Sequence, residues 1–260
     1  MQTKVFWLGW AAAVLAASVA AGPGNDMTVQ RQPVLVELFT SEGCSSCPPA
    51  DAVLEKLDRD QPVAGAEIIV LSEHVDYWNH LGWADPYSSP AFSARQVMYA
   101  RRFGLEGPYT PEMVVDGSAQ FVGSDLRKAE SAIGGAISDP RVGVRIGASA
   151  SGAPSVTLEV DPLPAGKVHK ANVYVAQAAD HGSTDVLRGE NRGRTLHYVS
   201  IVTEIRQVGS IGRHSGFRTR LPIGAPVSPA GSRLIAFVQE ADNGPVRGAA
   251  MYAIPAGAQR

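Results

Sequence analysis

The sequence predicts an α/β domain followed by a mainly-β, sandwich-like domain, and three observations carry that expectation. An apolar run with strand character, Val34 to Phe39, ends in a Gly-containing turn, then Cys44-Ser-Ser-Cys47, then a helical stripe of Ala50, Val53, Leu54 and Leu57. A second short apolar run, Glu67 to Ser72, completes a strand–helix–strand unit of the kind that builds parallel sheets. From Arg141 onward the pattern changes to short alternating runs separated by turn residues, with no long helical stripe. At 260 residues the chain has length for one to two domains with a real core.

Composition narrows the partners. With 45% hydrophobic and 18% charged residues the chain is ordinary globular, and a net charge of -2 points to neither nucleic acid nor an anionic membrane. Residues 1–22 read as an export signal. Lys4 is the one early charge, Val5 to Ala17 is apolar, and Ser18-Val19-Ala20 offers small residues for cleavage. A retained anchor is the other reading, but the stretch is short for a spanning helix. The mature protein is therefore expected in the periplasm or secreted, in an oxidising compartment and off the membrane.

That compartment frames the two cysteines. Strand, C-x-x-C, helix is the order of a thioredoxin-type redox motif. A Cys44–Cys47 bridge closes a very short loop and restrains little of the unfolded chain, so a structural staple is the weaker reading. A zinc site wants four ligands, which two sulfurs do not supply. A helix N-terminus lowers a thiol pKa from about 8.5 to about 7 or below, and the thiolate then attacks a disulfide that the second thiol resolves.

After the second strand comes an aromatic segment, 73–89, holding His74, Asp76, Tyr77, Trp78, His80, Trp83, Asp85 and Tyr87. It leaves the carboxyl end of a parallel strand, where open α/β sheets place ligands. It reads as a wall over the dithiol, with Tyr77 and Trp78 facing a partner and His74 or Asp76 moving protons. Alternatively the aromatics seal the domain surface. Ser89-Pro90 is an N-cap and first helical position. Phe92, Gln96, Tyr99 and Phe103 line that helix, Gly104 stops it, and Arg95, Arg101 and Arg102 read as a solvated face. Thr110-Pro111 precedes a strand at Met113 to Asp116. Asp116-Gly117 is a tight turn, and Ala119 to Val122 returns as the hairpin partner. Pro111 leaves the Thr110 backbone free to pair with a substrate strand. Ser124 caps a last helix with Leu126, Ala129, Ile133 and Ile137 on its stripe, and Pro140 follows.

These signals place a first domain at 30–139 and a second at 141–255. The second has one unusual stretch, Asp180 to Arg194, which either reaches the dithiol, holds an anion with Arg188, Arg192 and Arg194, or is a solvated strand connection. The last is the default for a loop. No dinucleotide, phosphate-loop, nucleophile-elbow or metalloprotease motif occurs.

The export signal, Phe39-Thr-Ser-Glu-Gly-Cys44-Ser-Ser-Cys47-Pro-Pro-Ala-Asp51, His74-Val-Asp-Tyr-Trp78, Gly82-Trp-Ala-Asp-Pro86, Tyr109-Thr-Pro-Glu-Met113 and Gly189-Glu-Asn191 together resemble a family of secreted, thioredoxin-like proteins known only as a domain of unknown function (DUF1223). The resemblance covers essentially the whole mature chain. It implies an α/β thioredoxin-like N-terminal domain and a β-rich second one, with no reaction attached. By comparison with thioredoxins, Cys44 is the attacking thiol, Cys47 the resolving thiol, and Pro111 a cis proline facing substrate. Two features depart from them. Glu42, near Cys44, raises a thiol pKa. Pro48-Pro49 push Cys47 and Pro48 out of the α region and put Cys47 rather than Cys44 nearest the helix's positive end.

The functional expectation is a periplasmic thiol–disulfide oxidoreductase. Cys44, Cys47, Pro111 and His74 are its catalytic set, and Thr110, Tyr77, Trp78, Asp76 and Tyr109 line its substrate side. It needs no cofactor and no resident metal, and its partners are exported proteins or a redox partner protein. One alternative is a Cu(I) metallochaperone with two thiolates and a distal His74. Another is a non-catalytic binding module with a structural disulfide. The leading reading requires two bonded sulfurs reachable from solvent at a helix entrance across from Pro111.

Overall fold

The computed structural model describes residues 1–4, 31–149, 155–223, 228, 231–254 and 256. Residues 5–22 of the expected export signal lie outside them. Residues 31–260 form one compact unit.

The order of elements is β1 (Gln32–Thr40), α1 (Pro48–Asp60), β2 (Ala66–His74), α2 (Pro90–Phe103), β3 (Glu112–Val115), β4 (Ala119–Val122) and α3 (Leu126–Ala136). Then come β5 (Val144–Ala148), β6 (Ser155–Val160), β7 (Lys170–Asp185), β8 (Thr195–Gly212), β9 (Phe217–Pro222), β10 (Ser232–Gln239) and β11 (Val246–Ile254). β1 runs parallel to β2 and antiparallel to β3. It is apolar on both faces because helices cover both. Val34, Val36 and Leu38 meet Leu54 and Leu57 of α1 and Ile133 of α3. Leu35 packs with Phe92 of α2, and Phe39 with Tyr99. The hairpin turn needs left-handed backbone at Asp116 (φ 48°) and Gly117 (φ 59°), which an Asp-Gly pair supplies cheaply.

The expected fold class is overturned. Among the described residues 43% lie in strands and 19% in helices, and the chain is a mainly-β protein, not a thioredoxin-like α/β domain followed by a separate β-sandwich. One mixed sheet of eight strands runs β11-β10-β7-β8-β2-β1-β3-β4, joining strands from both halves of the chain. The junction is β2 against β8, parallel, with Ser72 opposite Ile201. There Ser200, at φ 48°, donates its hydroxyl to the Val70 carbonyl at 2.6 Å. An open β2 edge would present unpaired backbone groups, and β8 meets that edge at Ser72 and Val70. The remaining strands form a small sheet, β5-β6-β9, whose Val156, Leu158 and Leu221 pack on Val173, Val175 and Ala236 of the large one. Arg233 of β10 also holds Asp58 of α1 in a bidentate pair at 2.6 and 2.9 Å.

Two smaller expectations change. Asp125, not Ser124, caps α3, accepting from the Lys128 N–H at 3.1 Å. Arg95 is no solvated face. Its side chain is 8% exposed and donates to Glu37 at 2.6 Å, because α2 is covered by β10, which no local pattern announces.

Candidate functional site

The cysteines lie in the turn between β1 and α1. The Cys44 N–H donates to Ser41 O, Cys47 N–H to Cys44 O, and the Ala50 and Asp51 N–H groups both to Cys47 O. Cys44 and Cys47 form a disulfide with Cα atoms 5.4 Å apart. Cys47 is the helix N-cap, followed by Pro48 and Pro49, whose missing N–H groups cost nothing in the first turn. Cys47 is thus the cysteine nearest the positive helix end, as anticipated. It nevertheless keeps α-region angles (φ -76°, ψ -40°), contrary to the expectation from the proline after it.

The expectation of solvent-reachable sulfurs is also overturned. Both cysteines are 0% exposed, while Ser45 and Ser46 between them are exposed. Part of the cover comes from the β7–β8 connection, residues 186–194. The Asn191 Nδ2 donates to Glu42 O and Cys44 O, each at 2.9 Å, and the Glu190 carboxylate accepts from the Ser45 N–H at 3.1 Å. Gly189, at φ 75°, lies where a Cβ would come within 3.2 Å of Trp83. The stretch read by default as a solvated connection thus reaches the dithiol turn, while its first residues, Asp180 to Asp185, continue β7. Arg188 and Arg192 stay exposed, and Arg194 bonds Asn191, so the three arginines form no anion cradle.

Next to the disulfide turn is a buried polar chamber. Its charged pair is His74 and Asp85, with Nδ1 and Oδ2 2.7 Å apart and both side chains fully buried. Burial pulls the His74 pKa down, but Asp85, Asp51 and Glu42 outweigh it and the net shift is upward. For Asp85, burial raises the pKa, while His74 and the Glu42 and Tyr87 N–H groups bring it below its ordinary value. Glu42 accepts from Trp83 Nε1 at 2.6 Å, and burial and Asp85 push its pKa up. Asp51 reaches about 7, chiefly through burial, against His74 and Thr40, which favour its charge. Tyr198 is pushed far above the ordinary range by burial and by Asp51, Glu42 and Asp85. Thr40 Oγ1, Glu42 Oε1, Asp51 Oδ1, His74 Nε2 and Tyr198 Oη are all buried without a hydrogen-bond partner. Thr40 lies beside Asp51, yet no bond of normal geometry joins them. Buried polar atoms are paired in the great majority of cases, so five orphans in one chamber mark it as unusual.

Of the anticipated substrate side, Trp78 and Thr110 come together. Trp78 Nε1 donates to Thr110 Oγ1 at 2.8 Å, and a Cβ on Gly43 would come within 2.9 Å of Trp78 Cβ. The Thr110–Pro111 peptide is cis. Pro111 is buried and, with Ala50 of α1, flanks Gly123. The other three residues engage α2 and β4. Asp76 accepts from Ser93, Tyr77 donates to Gln96, and Tyr109 donates to Gln120. His74 bonds Asp85 rather than either sulfur. Among the described residues no three His, Cys, Asp or Glu side chains are grouped to hold a metal ion.

The family model for proteins of unknown function, DUF1223, matches residues 35–239. The chain belongs to this family. The matched DUF1223 span contains the dithiol turn, the chamber and the covering loop. A crystal structure of protein AGR_C_4864 from Agrobacterium tumefaciens is similar, with TM-score 0.68 and 26% identity over 88% of this chain and 97% of that one. HBP35 of Porphyromonas gingivalis shares the fold at TM-score 0.54 and 16% identity, over 88% of this chain and 79% of that one. No curated protein matches the sequence.

Within this DUF1223 chain, sequence reasoning assigned no role to Asp51, Asn191 or Tyr198. Asp51 did leave a signal, since it shares a buried helical face with Ala50, Leu54 and Leu57 where an apolar residue belongs. Asn191 lay within the stretch 180–194 singled out as one that could reach the dithiol, but without a role of its own, and Tyr198 left no signal, because only the β2–β8 pairing brings it to the site.

Proposed function

We propose that this protein is a thiol–disulfide oxidoreductase of the periplasm or extracellular space, exchanging electrons with exported proteins or a redox partner protein through Cys44 and Cys47. The observation that carries the reading is the disulfide closed at the N-terminus of α1 with Cys47 as its N-cap. A helix N-terminus favours the thiolate, so Cys47 suits the role of leaving group when a partner thiolate attacks Cys44. The attack makes a Cys44–partner disulfide and breaks Cys44–Cys47. A second partner thiol then completes the two-electron reduction, and the reverse sequence oxidises a partner. Ser45 and Ser46, exposed beside the buried sulfurs, are the approach, and the Glu190–Asn191 contact must part for a partner to enter.

The test is catalysed reduction or refolding of a disulfide protein such as insulin, with Cys44→Ser abolishing it. A Cys44→Ser, Cys47→Ser double variant that keeps full activity overturns the reading. One observation favours a second reading, a binding module with a structural disulfide, namely that both cysteines are fully buried. A reduction potential below about -300 mV supports the staple, and one in the range of known exchange catalysts supports the enzyme.

A further inference from the structure

We infer that the Asp51 carboxyl is the group that gives and takes the proton of the Cys47 sulfur as the disulfide opens and closes. This rests on the redox reading of Cys44 and Cys47.

Four observations lead there. Cys47 has helical angles, and the Asp51 N–H donates to Cys47 O at 3.1 Å, so the two residues stand one helical turn apart. Residues four apart on a helix share a face, with Cβ atoms about 5–6 Å from each other. Both sulfurs are shut off from water, so a thiolate released by the disulfide has no solvent proton at hand, and burial opposes its charge. Asp51 is 7% exposed and its Oδ1 has no partner, although it lies in the first turn of a helix whose neighbouring face is apolar. A carboxyl retained there for structure alone would be expected to satisfy both oxygens.

The surroundings hold the proton within reach. Thr40 of β1, Glu42 of the dithiol turn, His74 of β2, Asp85 of the loop after it, and Tyr198 of β8 face Asp51. Thr184 of β7 and Trp83 stand against Glu42. His74 and Asp85 neutralise one another at 2.7 Å, and Glu42 stands beside that pair. Burial holds Asp51 at about 7, so the carboxyl is shared between its two forms at neutral pH.

The step balances without a further reactant. A partner thiolate forms a bond to Cys44 Sγ as the Cys44–Cys47 bond breaks, and Cys47 leaves with the bonding electron pair. The Asp51 carboxyl proton moves to Cys47 Sγ, leaving the carboxylate. In reverse, the carboxylate takes the Cys47 proton while that sulfur attacks the mixed disulfide at Cys44 and expels the partner thiolate.

The experiment is stopped-flow reduction of the folded protein by dithiothreitol from pH 5.5 to 9, comparing wild type with Asp51→Asn. At pH 7 the variant is expected to react about 10²-fold more slowly, the usual scale of a lost acid–base group, and to lose the inflection near pH 7. Equal rates and equal pH profiles overturn the inference while leaving the redox reading intact. A disulfide that dithiothreitol cannot open in the folded protein overturns both. Should Asp51→Asn fail to fold, carbon-13 aspartate labelling of the wild type decides. A buried carboxyl titrating near pH 7 must change its midpoint between oxidised and reduced protein, and an unchanged midpoint overturns the inference.

Discussion

Asn191 Nδ2 lies 2.9 Å from the carbonyl oxygens of both Glu42 and Cys44, spanning the dithiol turn from a loop 147 residues further along the chain. Asn191 is 1% exposed, so neither carbonyl gains water readily if the amide is removed. The contact ties the accessibility of the sulfurs to the opening of the β7–β8 connection.

Asn191→Ala is therefore expected to cost about 1–3 kcal/mol of stability, the range for stranding buried hydrogen-bonding groups. It is also expected to speed reduction by dithiothreitol. If opening of the loop limits access, each 1.4 kcal/mol lost from the closed form raises the rate about tenfold. Urea unfolding and reduction kinetics measure the two effects, and an unchanged reduction rate would show that the loop is not the barrier.

Arg95 is the buried hub on the other face of the sheet. It donates to Glu37 at 2.6 Å and to Tyr99 and Gln239 at 3.1 Å, with Glu73 at 3.7 Å. Burial and Glu37 hold Glu73 well above the ordinary carboxyl range, against Arg95. Arg95→Ala removes the cation that stands between Glu37 and Glu73 and leaves Glu37 with the Tyr99 hydroxyl alone, so a loss of about 3–5 kcal/mol is expected in urea unfolding. Arg95→Met combined with Glu37→Leu should recover much of it, because the isolated charge, not the missing bond, is the main cost. A double variant as unstable as Arg95→Ala would sink that account.

Stability should be greatest on the acid side of neutrality. Burial raises Asp51 from 3.8 to about 7, Glu112 from 4.5 to about 7, and Asp116 from 3.8 to about 6. In that window the folded chain binds more protons than the unfolded one, so unfolding free energy falls as pH rises from about 4.5 to 7. His74, also raised, adds stability below 6.5 that is lost as pH rises through its folded pKa. Asp85, lowered, acts oppositely, and its contribution is lost only as pH falls below 3.8. Thermal unfolding should thus give a higher midpoint at pH 5 than at pH 8. Asp51→Asn should flatten the slope, and a midpoint that rises between pH 5 and 8 contradicts the assignment.

Much of the local structure was legible because local chemistry causes it. The Ser89 cap accepts from the Ala91 N–H, Gly104 stops α2 at φ 69°, and the Asp116-Gly117 hairpin turns where its left-handed backbone is cheapest. Each of these depends on a residue and its near neighbours. The role of Asn191 depends instead on a loop arriving from the far side of the sheet, and Arg95 reads as surface until β10 covers it. The aromatic segment shows both outcomes. Trp78 lies against Gly43 of the dithiol turn, while Tyr77 and Asp76 turn to α2.

By itself, the sequence determined the dithiol spacing, the helix that begins just after Cys47, and the alternation that makes the second half strands, since each follows from backbone preference and side-chain period within a few residues. Only the tertiary structure decided that β8 pairs with β2, and hence that the two halves share one sheet, that the sulfurs are covered, and that Asp51, His74 and Tyr198 meet in one chamber. Strand alternation says which face is buried and nothing about which edge is joined. Edge pairing is settled by backbone hydrogen bonds between segments more than a hundred residues apart.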